Sequence, residues 1–411
     1  MPENFGVPEG AQTNGQRLAR LRMRRRWDQR KLAQESGYSL SSVKKFEQGK
    51  RSLDRADVIL TFVKALDCHP TEITGQPYTP PDSDLDGQAA VAAVAAVRRA
   101  LLRHGRPTRP SDQEAAEVDL PELRARVAEA NRYRQTAALA KSGNLLPALL
   151  RDLQVAADVS TGDERRAAYD LLASGYECAM QYLYKLGRSS DATLATERVV
   201  WSAAQTDDPL RALSARWYNA GEFLSIGEHD EAGAIIDEAL TELGSISGDQ
   251  PEKVSLTGAF HLKASLNYAR ATAGKAAEAE LEKAERLAAQ LAGDRNDYQL
   301  QFGPTNVAIW SVSLPVEMGK GRDAVRRAEH IAGKFPAKYA QERRSHHYID
   351  VGRARYYNGQ HDHALDSFLE AERLAPQSTR MHAGVRETTS TMLNTNRNRA
   401  LLEFGMRLGV V

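Results

Sequence analysis

Hydrophobic residues recur at helical spacing in two short segments near the start of the chain, residues 28–36 and 39–47. Each segment is preceded by a residue that caps helices well, and Gly37 stands between them, where the chain has to turn. The apolar positions are Leu32, Ala33, Val43 and Phe46, and the capping positions are Asp28 and Ser39. The pattern predicts two short helices joined by a tight turn.

A second pattern runs through the rest of the chain, where six glycines recur at intervals of 40 to 47 residues, each followed five positions later by an alanine. The pairs are Gly143 with Ala148, Gly187 with Ala192, Gly227 with Ala232, Gly274 with Ala279, Gly319 with Ala324, and Gly359 with Ala364. A glycine turn followed by a small residue is typical of helical hairpins whose two helices pack closely. The sequence therefore predicts an all-α fold built from repeated helix pairs.

Two breaks divide the chain. The first contains three prolines and several acidic residues, which cannot continue a helix and therefore predict a linker. Residues 88–104 favour one helix packed on the following domain, and residues 105–110 break the pattern again. The predicted divisions are a flexible terminus at 1–13, a small N-terminal domain at 14–75, the linker at 76–87, and a large repeat domain at 88–411 that also dimerises.

Positive charge is concentrated near the N-terminus, although the whole chain carries a formal net charge of only +1. Residues 17–51 hold twelve Arg and Lys against three Asp and Glu. Neutralising phosphates releases condensed counterions, so such a patch suits the backbone of a nucleic acid. The run of arginines within residues 22–26 is, taken alone, typical of a solvated helix face. Beside the two-helix motif, contact with DNA is the favoured interpretation.

Roughly the first 75 residues resemble the phage-repressor class of helix-turn-helix domains, also called the xenobiotic-response-element type, and residues 14–66 carry the clearest part of the pattern. Gln29 at the start of the first helix, Gly37 at the turn and the closing Glu47-Gln48-Gly49 fall in the register of that family. Flanking positions that also match are Gly15, Leu18, Leu21, Arg22, Leu60, Ala65, Leu66 and Asp67. The resemblance implies sequence-specific binding to double-stranded DNA, usually as a homodimer on paired half-sites.

The resemblance also assigns roles to single residues, because the second helix of this motif places its N-terminal residues at base edges in the major groove. The positions that match base readers are Leu40, Ser41 and Lys45, and those that match phosphate contacts are Gln29, Ser42, Lys44, Lys50 and Arg51. Leu40 departs from the family, which often has a polar residue there, and Trp27 departs where an aliphatic residue is usual. For Glu47 we favour a charge pair or cap within the domain over a base contact.

The glycine and alanine offsets resemble the tetratricopeptide repeat, although the period here exceeds that repeat's usual length of about 34 residues. Residues 299–310, 374–380 and 394–397 further resemble segments of actinobacterial regulators that join such a DNA-binding domain to a tetratricopeptide array. The resemblance implies a superhelix whose first helices line a concave surface that binds a ligand.

Carrying over the inward positions of the repeat gives the candidate ligand-binding residues. They are Glu177, Gln181, Tyr184, Trp217, His261, Tyr268, Asn306, Trp310, Ser313, Arg353 and Tyr356. Aromatic rings with a few polar groups suit an amphipathic small molecule or peptide, with Arg353 offered to a carboxylate or carbonyl and Asn306 to an amide. Packing between repeats explains the aromatic residues, including Trp310, equally well.

Motifs of enzymes and metal sites are missing from the sequence. It contains no phosphate-binding loop, no zinc-protease motif and no Gly-x-Ser-x-Gly, so we expect no catalytic residue and no cofactor. The segments 361–363 and 229–230, His-Asp-His and His-Asp, are better explained as starts of helices than as metal ligands. Cys68 and Cys178 are too few for a disulfide framework and fit a reducing compartment.

The first residues lack the basic region and apolar core of a signal peptide, so we expect a cytoplasmic protein. The sequence as a whole predicts a homodimeric transcriptional regulator whose repeat domain binds a small molecule or peptide signal and alters operator affinity. An alternative is a DNA-localised adaptor whose repeats bind a partner protein. An enclosed pocket with polar groups near Asn306 and Arg353 would favour the sensor, and an open charged groove would favour the adaptor.

Overall fold

The computed structural model describes residues 12–104, 109–331, 333–336, 338–395 and 398–411. Within these ranges the chain is α-helical and contains no strand, as the sequence predicts. Almost all of the predicted flexible terminus lies outside the described residues, as do residues 105–108 of the second predicted break and residues 396–397. No helix in the described ranges is both long and apolar enough to cross a membrane.

Five helices form the N-terminal unit. They are α1 (Asn14–Arg24), α2 (Gln29–Ser36), α3 (Leu40–Glu47), α4 (Ala56–Leu66) and α5 (Pro70–Thr74). Both predicted caps are present: Asp28 accepts the backbone N–H of Lys31 at 2.8 Å, and Ser39 accepts that of Ser42 at 3.1 Å. Gly37 ends α2 in the left-handed conformation with φ 71°, which glycine adopts at no steric cost.

An aromatic cluster fills the centre of this unit, and all four predicted apolar positions of the motif are buried. Phe46 of α3 meets Phe62 of α4 edge to face at 5.8 Å between ring centroids, and Tyr38 stacks on Phe62 at 5.2 Å. Helix α1 crosses α3 so closely that a Cβ at Gly15 would lie 1.9 Å from the carbonyl oxygen of Phe46. The crossing therefore requires glycine at that position.

The rest of the chain folds as stacked helix pairs. Six pairs follow one another in the described part of the chain: α9 (Leu120–Gln135) with α10 (Leu139–Val159), α11 (Gly162–Lys185) with α12 (Ser189–Ala203), α13 (Pro209–Ile226) with α14 (His229–Ser245), α15 (Pro251–Arg270) with α16 (Gly274–Ala288), α17 (Pro304–Glu317) with α18 (Gly321–Ile331), and α19 (Gln341–Tyr357) with α20 (His361–Leu374). The helices that flank these pairs are α6 (Leu85–Ala92), α7 (Val94–Leu102) and α8 (Asp112–Ala116) before them, and α21 (Pro376–Arg380), α22 (Ala383–Thr395) and α23 (Arg399–Leu408) after them. From α11 onward, each pair packs on the next, as in a helical superhelix.

In every pair, a residue with left-handed backbone stands two positions before the second helix. Four pairs have glycine there: Gly187, Gly227, Gly319 and Gly359. Ala137 (φ 55°) and Thr272 (φ 61°) occupy the position in the other two pairs, at a cost of about 1–2 kcal/mol each relative to glycine. The predicted register is wrong in those two pairs, since Gly143 lies inside α10 and Gly274 is the first residue of α16.

The prediction of a small residue five positions after the turn is confirmed when the positions are counted from the observed turn residues. It is buried in all six described pairs: Ser142, Ala192, Ala232, Ala277, Ala324 and Ala364. Ala148 and Ala279, which the displaced register selects, are exposed. A small side chain at this position lets the second helix of each pair approach the first.

The predicted linker is shorter and more firmly attached than the sequence indicates. Helix α6 begins at Leu85, because Asp84 caps it by accepting the N–H of Gly87 at 3.2 Å, and the single helix predicted at 88–104 is divided between α6 and α7. In the linker, Tyr78 donates to the carbonyl of Arg380 at 2.7 Å, and the guanidinium of Arg386 lies 3.6 Å from its ring centroid. Contacts with α21 and α22 therefore hold the linker.

Both His-Asp segments begin helices, and the two thiols differ in burial. Helices α14 and α20 begin at His229 and His361, which confirms that the His-Asp segments start helices. Helix α17 begins at Pro304. Cys178 is buried, whereas Cys68 is half-buried, and each thiol is unpaired.

Candidate functional site

Helix α3 and the loop after it present exposed polar and cationic side chains. Ser41, Lys44 and Lys45 are exposed on the helix, and Lys50 and Arg51 are exposed in the loop. The remaining predicted DNA-contact residues, Gln29, Leu40 and Ser42, are half-buried. Seven of these eight residues belong to α3 or its loop, so one continuous surface holds them.

Contacts inside the domain position three of these residues. Leu40 packs partly on the apolar core of the unit, and the guanidinium of Arg51 lies 4.9 Å from the ring centroid of Phe46. The side-chain amide of Gln29 donates to Glu47 at 2.7 Å. The departure at Leu40 therefore has a structural explanation, because the side chain covers the core beside α3.

Glu47 of α3 joins the two helices of the motif to α1. Its two carboxylate oxygens accept from Arg22 at 2.7 and 2.9 Å, and one of them also accepts from Gln29. Arg22 in addition donates to the carbonyl of Trp27 at 2.7 Å. Both members of the ion pair are largely buried. Glu47 thus fixes α1 and α2 against α3, in agreement with the interpretation favoured from sequence.

A partly enclosed cavity of about 170 Å³ opens in the repeat domain. Its walls come from the first helices of all six pairs, α9, α11, α13, α15, α17 and α19, together with the loop before α17. The lining residues are Arg134, Gln181, Tyr184, Lys185, Trp217, Tyr218, Ala259, Leu262, Gln299, Leu300, Gln301, Asn306, Trp310, Glu342, Arg343 and His346. The first helices of the pairs therefore face one concave space.

Five of the eleven predicted ligand-binding residues line this cavity. They are Gln181, Tyr184, Trp217, Asn306 and Trp310. The indole N–H of Trp217 donates to the carbonyl of Ala259 at 2.9 Å, and the ammonium of Lys263 lies 3.4 Å from the indole centroid. Asn306 accepts from Nε of Arg343 at 3.0 Å. The cavity thus combines aromatic surface with ordered polar groups.

The structure places the other six predicted residues outside the cavity. They are Glu177, His261, Tyr268, Ser313, Arg353 and Tyr356. Glu177 is fully buried and pairs with Arg211 at 2.7 Å, and burial, which Arg211 only partly offsets, raises its pKa. Nδ1 of His261 lies 2.6 Å from Glu280. Partners within the repeat domain thus occupy Glu177 and His261, and neither residue lines the cavity.

The remaining four of those six have packing or ion-pair roles. Tyr268 packs on the main core, and Tyr356 stacks on the ring of His361 at 5.3 Å. Ser313 donates to Asp350 at 2.5 Å. Arg353 is buried among carboxylates at the N-terminal unit, so it is not offered to a ligand in the cavity.

Several cavity residues were not predicted from the sequence. They are Arg134, Lys185, Gln299, Gln301, Glu342 and Arg343. Arg134 lies on α9, the first helix of the pair whose turn the sequence places at Gly143 and the structure at Ala137. Gln299 and Gln301 belong to residues 299–310, which the sequence singles out as unlike the repeat, so a signal for them was present.

The loop before α17 reaches the cavity in a strained conformation. Tyr298, Gln299 and Gln301 all have positive φ, of 48°, 61° and 53°. Non-glycine residues adopt this region at a cost of about 1–2 kcal/mol each, and such strain clusters at ligand-binding sites. The ring of Phe302 holds the loop in place by packing where a Cβ on Gly258 would lie only 2.0 Å from it.

Basic side chains outnumber acidic ones in the cavity lining, with Arg134, Lys185 and Arg343 against Glu342. Lys185 and Glu342 form an ion pair at 2.5 Å. Burial alone would raise the pKa of Glu342, but the positive charges of Lys185 and Arg343 lower it overall, so its carboxylate is charged. Lys185 and burial together hold the pKa of His346 well below its usual range, and this imidazole is therefore neutral.

A network of buried charges attaches the N-terminal unit to the repeat domain. Arg353 of α19 donates through Nε to Asp54 at 2.9 Å, and the hydroxyl of Tyr357 donates to the same carboxylate oxygen at 2.5 Å. Arg353 also pairs with Glu317 of α17 at 3.3 Å, and Glu317 accepts from Arg270 at 2.9 Å. Burial opposes ionisation of Glu317, but these arginines lower its pKa to about 2.

A second buried carboxylate meets the same unit from α22. Glu387 accepts the backbone N–H groups of Asn14 at 2.7 Å and Leu53 at 3.3 Å. Asn394, on the same helix, donates to the carbonyl of Gly49 at 3.3 Å. Burial raises the pKa of Glu387 to about 7, although the two N–H groups oppose the shift. The loop that follows α3 is thus held by the C-terminal helices.

Among the residues that the structure describes, no group of three or more His, Cys, Asp or Glu is arranged to hold a metal ion. The His-Asp segments at the starts of α14 and α20 belong to those residues.

Comparison with known proteins gives one match to a family model. Residues 15–74 match the model of a helix-turn-helix domain. No curated protein is significantly similar to the chain. A solved structure, the crystal structure of BtubC (BKLC) from P. vanneervenii, aligns with 67% of this chain and 94% of its own, at 14% identity and a TM-score of 0.34. The chain therefore carries a helix-turn-helix domain at residues 15–74, formed by α1 to α5.

Proposed function

We propose that the protein is a sequence-specific DNA-binding transcriptional regulator. The match of residues 15–74 to a helix-turn-helix domain and the exposed cationic surface of α3 support this proposal. In the docking geometry of such domains, Leu40, Ser41 and Lys45 face base edges. Gln29, Ser42, Lys44, Lys50 and Arg51 contact phosphates. The domain is small, and we propose that it acts as a homodimer on paired half-sites, with the tetratricopeptide-like repeats supplying the dimer contact.

We propose further that the cavity in the repeats is a sensor site. The observation that carries this proposal is that α17 and α19, which line the cavity, also carry the ion network that holds the DNA-binding domain. Helix α17 has Asn306 at the cavity and Glu317 in the ion network, about three turns or roughly 16 Å further on. Helix α19 has His346 at the cavity and Arg353 on Asp54, two turns away.

This arrangement gives the signal a physical route. A ligand that binds one arrangement of α17 and α19 better than another shifts the population towards it. Because Arg353 holds Asp54, the same shift changes how the DNA-binding domain is attached, and in a dimer it changes the distance between the two α3 helices. The coupling free energy then appears as a change in operator affinity.

The test starts from DNA duplexes that the purified full-length protein selects from its own genome. Affinity for a selected and a random duplex is measured by fluorescence anisotropy, with and without a small-molecule extract of the producing cells. The proposal expects selective binding that the extract changes. Trp310→Ala, in the cavity, should lose the response to the extract but keep DNA binding, whereas Trp201→Ala, on the surface of α12, should keep both.

Two other results would contradict parts of this proposal. Selective binding that is indifferent to the extract would favour the adaptor, in which the repeats bind a partner protein. Equal binding to selected and random duplexes would refute sequence-specific regulation.

A further inference from the structure

The cavity is the size of a small molecule. Its volume is about 170 Å³, and a buried water needs on the order of 10–15 Å³ on the same measure, so it accommodates roughly a dozen water-sized groups. The side chains of a bound peptide would need several such spaces along an open groove. The dimensions favour a compact ligand of about a dozen non-hydrogen atoms.

The charges of the cavity favour an anion. Arg134, Lys185 and Arg343 face one carboxylate, Glu342, and that carboxylate is paired with Lys185. The two guanidinium groups are bound to neutral oxygens instead. Arg134 donates to the amide oxygen of Asn131 at 2.8 and 3.0 Å.

Arg343, the second guanidinium in the cavity, donates to the amide oxygen of Asn306 at 3.0 Å. No carboxylate among the described residues forms an ion pair with Arg134 or Arg343. Positive charge in a half-enclosed site is stabilised by an anion, and a carboxylate fits a guanidinium through two parallel hydrogen bonds.

The uncharged part of the wall favours an aromatic body with a hydrogen-bond donor. Trp217 and Trp310 line the cavity, and the only donor of Trp217 is already bound to the carbonyl of Ala259, so its ring offers apolar surface. Gln301 is only 8% exposed, and its amide oxygen has no hydrogen-bond partner among the described residues. A ligand N–H or O–H would satisfy this buried acceptor, which is costly to leave unpaired.

We propose that the cavity binds a small aromatic carboxylate that carries a hydrogen-bond donor, with Arg343 and Arg134 on its carboxylate, Trp217 and Trp310 against its ring, and Gln301 on its donor. This inference deepens the proposed sensor function and rests on the cavity being that sensor site. It assigns the ligand to small organic acids rather than to peptides.

Indole-3-carboxylate is the probe, since it has about a dozen non-hydrogen atoms, an aromatic ring, a donor N–H and a carboxylate. Indole-3-carboxamide is the neutral control of the same shape. Isothermal titration calorimetry with the full-length protein, in the absence of DNA, should detect binding of the acid and at least about tenfold weaker binding of the amide, because charge-assisted hydrogen bonds are lost.

Arg343→Gln should lower the affinity for indole-3-carboxylate to that for the amide. Arg134→Gln should also lower the affinity for the carboxylate. Arg399→Gln, on an arginine that is 93% exposed in α23, should leave both affinities unchanged. Unfolding curves of the variants confirm that they are folded. Equal affinities for acid and amide, or no heat from either, would overturn the inference. Because no DNA is present, these results do not depend on whether the protein is a regulator, which the anisotropy test decides separately.

Discussion

Arg353 of α19 and Asp54 of the N-terminal unit form a buried ion pair at 2.9 Å, although 299 residues separate them in the sequence. Their side chains are 6% and 1% exposed, so water screens the pair very little. Tyr357 and Glu317 complete the cluster from the repeat side. The pair fixes the DNA-binding domain to α19, and Glu317 joins α17, which also lines the cavity, to the same cluster.

We expect Arg353→Met to weaken this attachment severely. Removing one partner of a buried ion pair leaves the other charge uncompensated and typically costs about 3–5 kcal/mol. The local measurement is amide hydrogen exchange of Leu53, whose N–H is bound at the same junction, together with urea unfolding of the full chain. Exchange should rise by at least about a hundredfold.

The matched control is Arg399→Met, which removes an arginine from an exposed pair with Glu403. A change within about 0.5 kcal/mol is expected there. If Arg353→Met were as mild as this control, the ion pair would not hold the two parts of the molecule together.

The protonation of Glu387 should make the same junction sensitive to pH. Burial raises its pKa to about 7 when folded, against about 4.3 when unfolded. Between these values the folded chain binds more protons, so this residue's contribution to stability falls as pH rises from about 4.3 to about 7 and is constant above that range. Other titrating groups also change the free energy of unfolding with pH. Comparing a variant at Glu387 with the unsubstituted protein isolates the contribution of this residue.

Glu387→Gln removes the titration but keeps the shape of the side chain. We expect its free energy of unfolding, relative to the unsubstituted protein, to rise between pH 5 and 7 by on the order of 2 kcal/mol. Urea unfolding at several pH values measures this difference. Glu403→Gln, on the surface of α23, should show a flat difference, and a flat difference for Glu387→Gln as well would contradict the account of this carboxylate.

Glu47 should contribute to the stability of the DNA-binding domain and not to its choice of sequence. Glu47→Ala leaves Arg22 without its largely buried partner, and we expect a loss of about 3 kcal/mol. The ratio of affinities for selected and random DNA should remain unchanged at a temperature where the variant is folded. Glu35→Ala, which breaks only the exposed pair with Lys31, should cost less than about 0.5 kcal/mol. A changed affinity ratio in Glu47→Ala would instead indicate that Glu47 contacts a base.

The N-terminal domain could be predicted from its sequence because its signals are local. Asp28, Ser39 and Gly37 act on residues within four positions, and the apolar face of α3 packs within the same short unit. The repeats were predictable where glycine marks the turn. They were not where Ala137 and Thr272 take the left-handed conformation, since neither residue type signals it.

The cavity and the junction were harder to predict because distant residues form them. Arg353 stands at an inward repeat position, but its partner, Asp54, belongs to another domain and carries no periodic signal. Arg134 comes from α9, whose turn residue is Ala137 and not glycine, and Gln301 comes from the loop before α17. Periodicity indicated which face of each helix is inward, and only the tertiary structure shows which inward residues meet across the cavity.

If α3 reads DNA, Lys45→Ala and Lys50→Ala should have different effects on DNA binding, and Lys275→Ala in α16 is the control. Anisotropy with a selected and a random duplex over a range of salt gives affinity, selectivity and salt dependence together. Lys45→Ala should lose about 1–3 kcal/mol on the selected duplex alone, whereas Lys50→Ala should weaken both duplexes alike and reduce the salt slope by about 1. The control should match the unsubstituted protein. Equal effects of both substitutions on both duplexes, or no effect of either, would contradict the assignment of α3 as the reading helix.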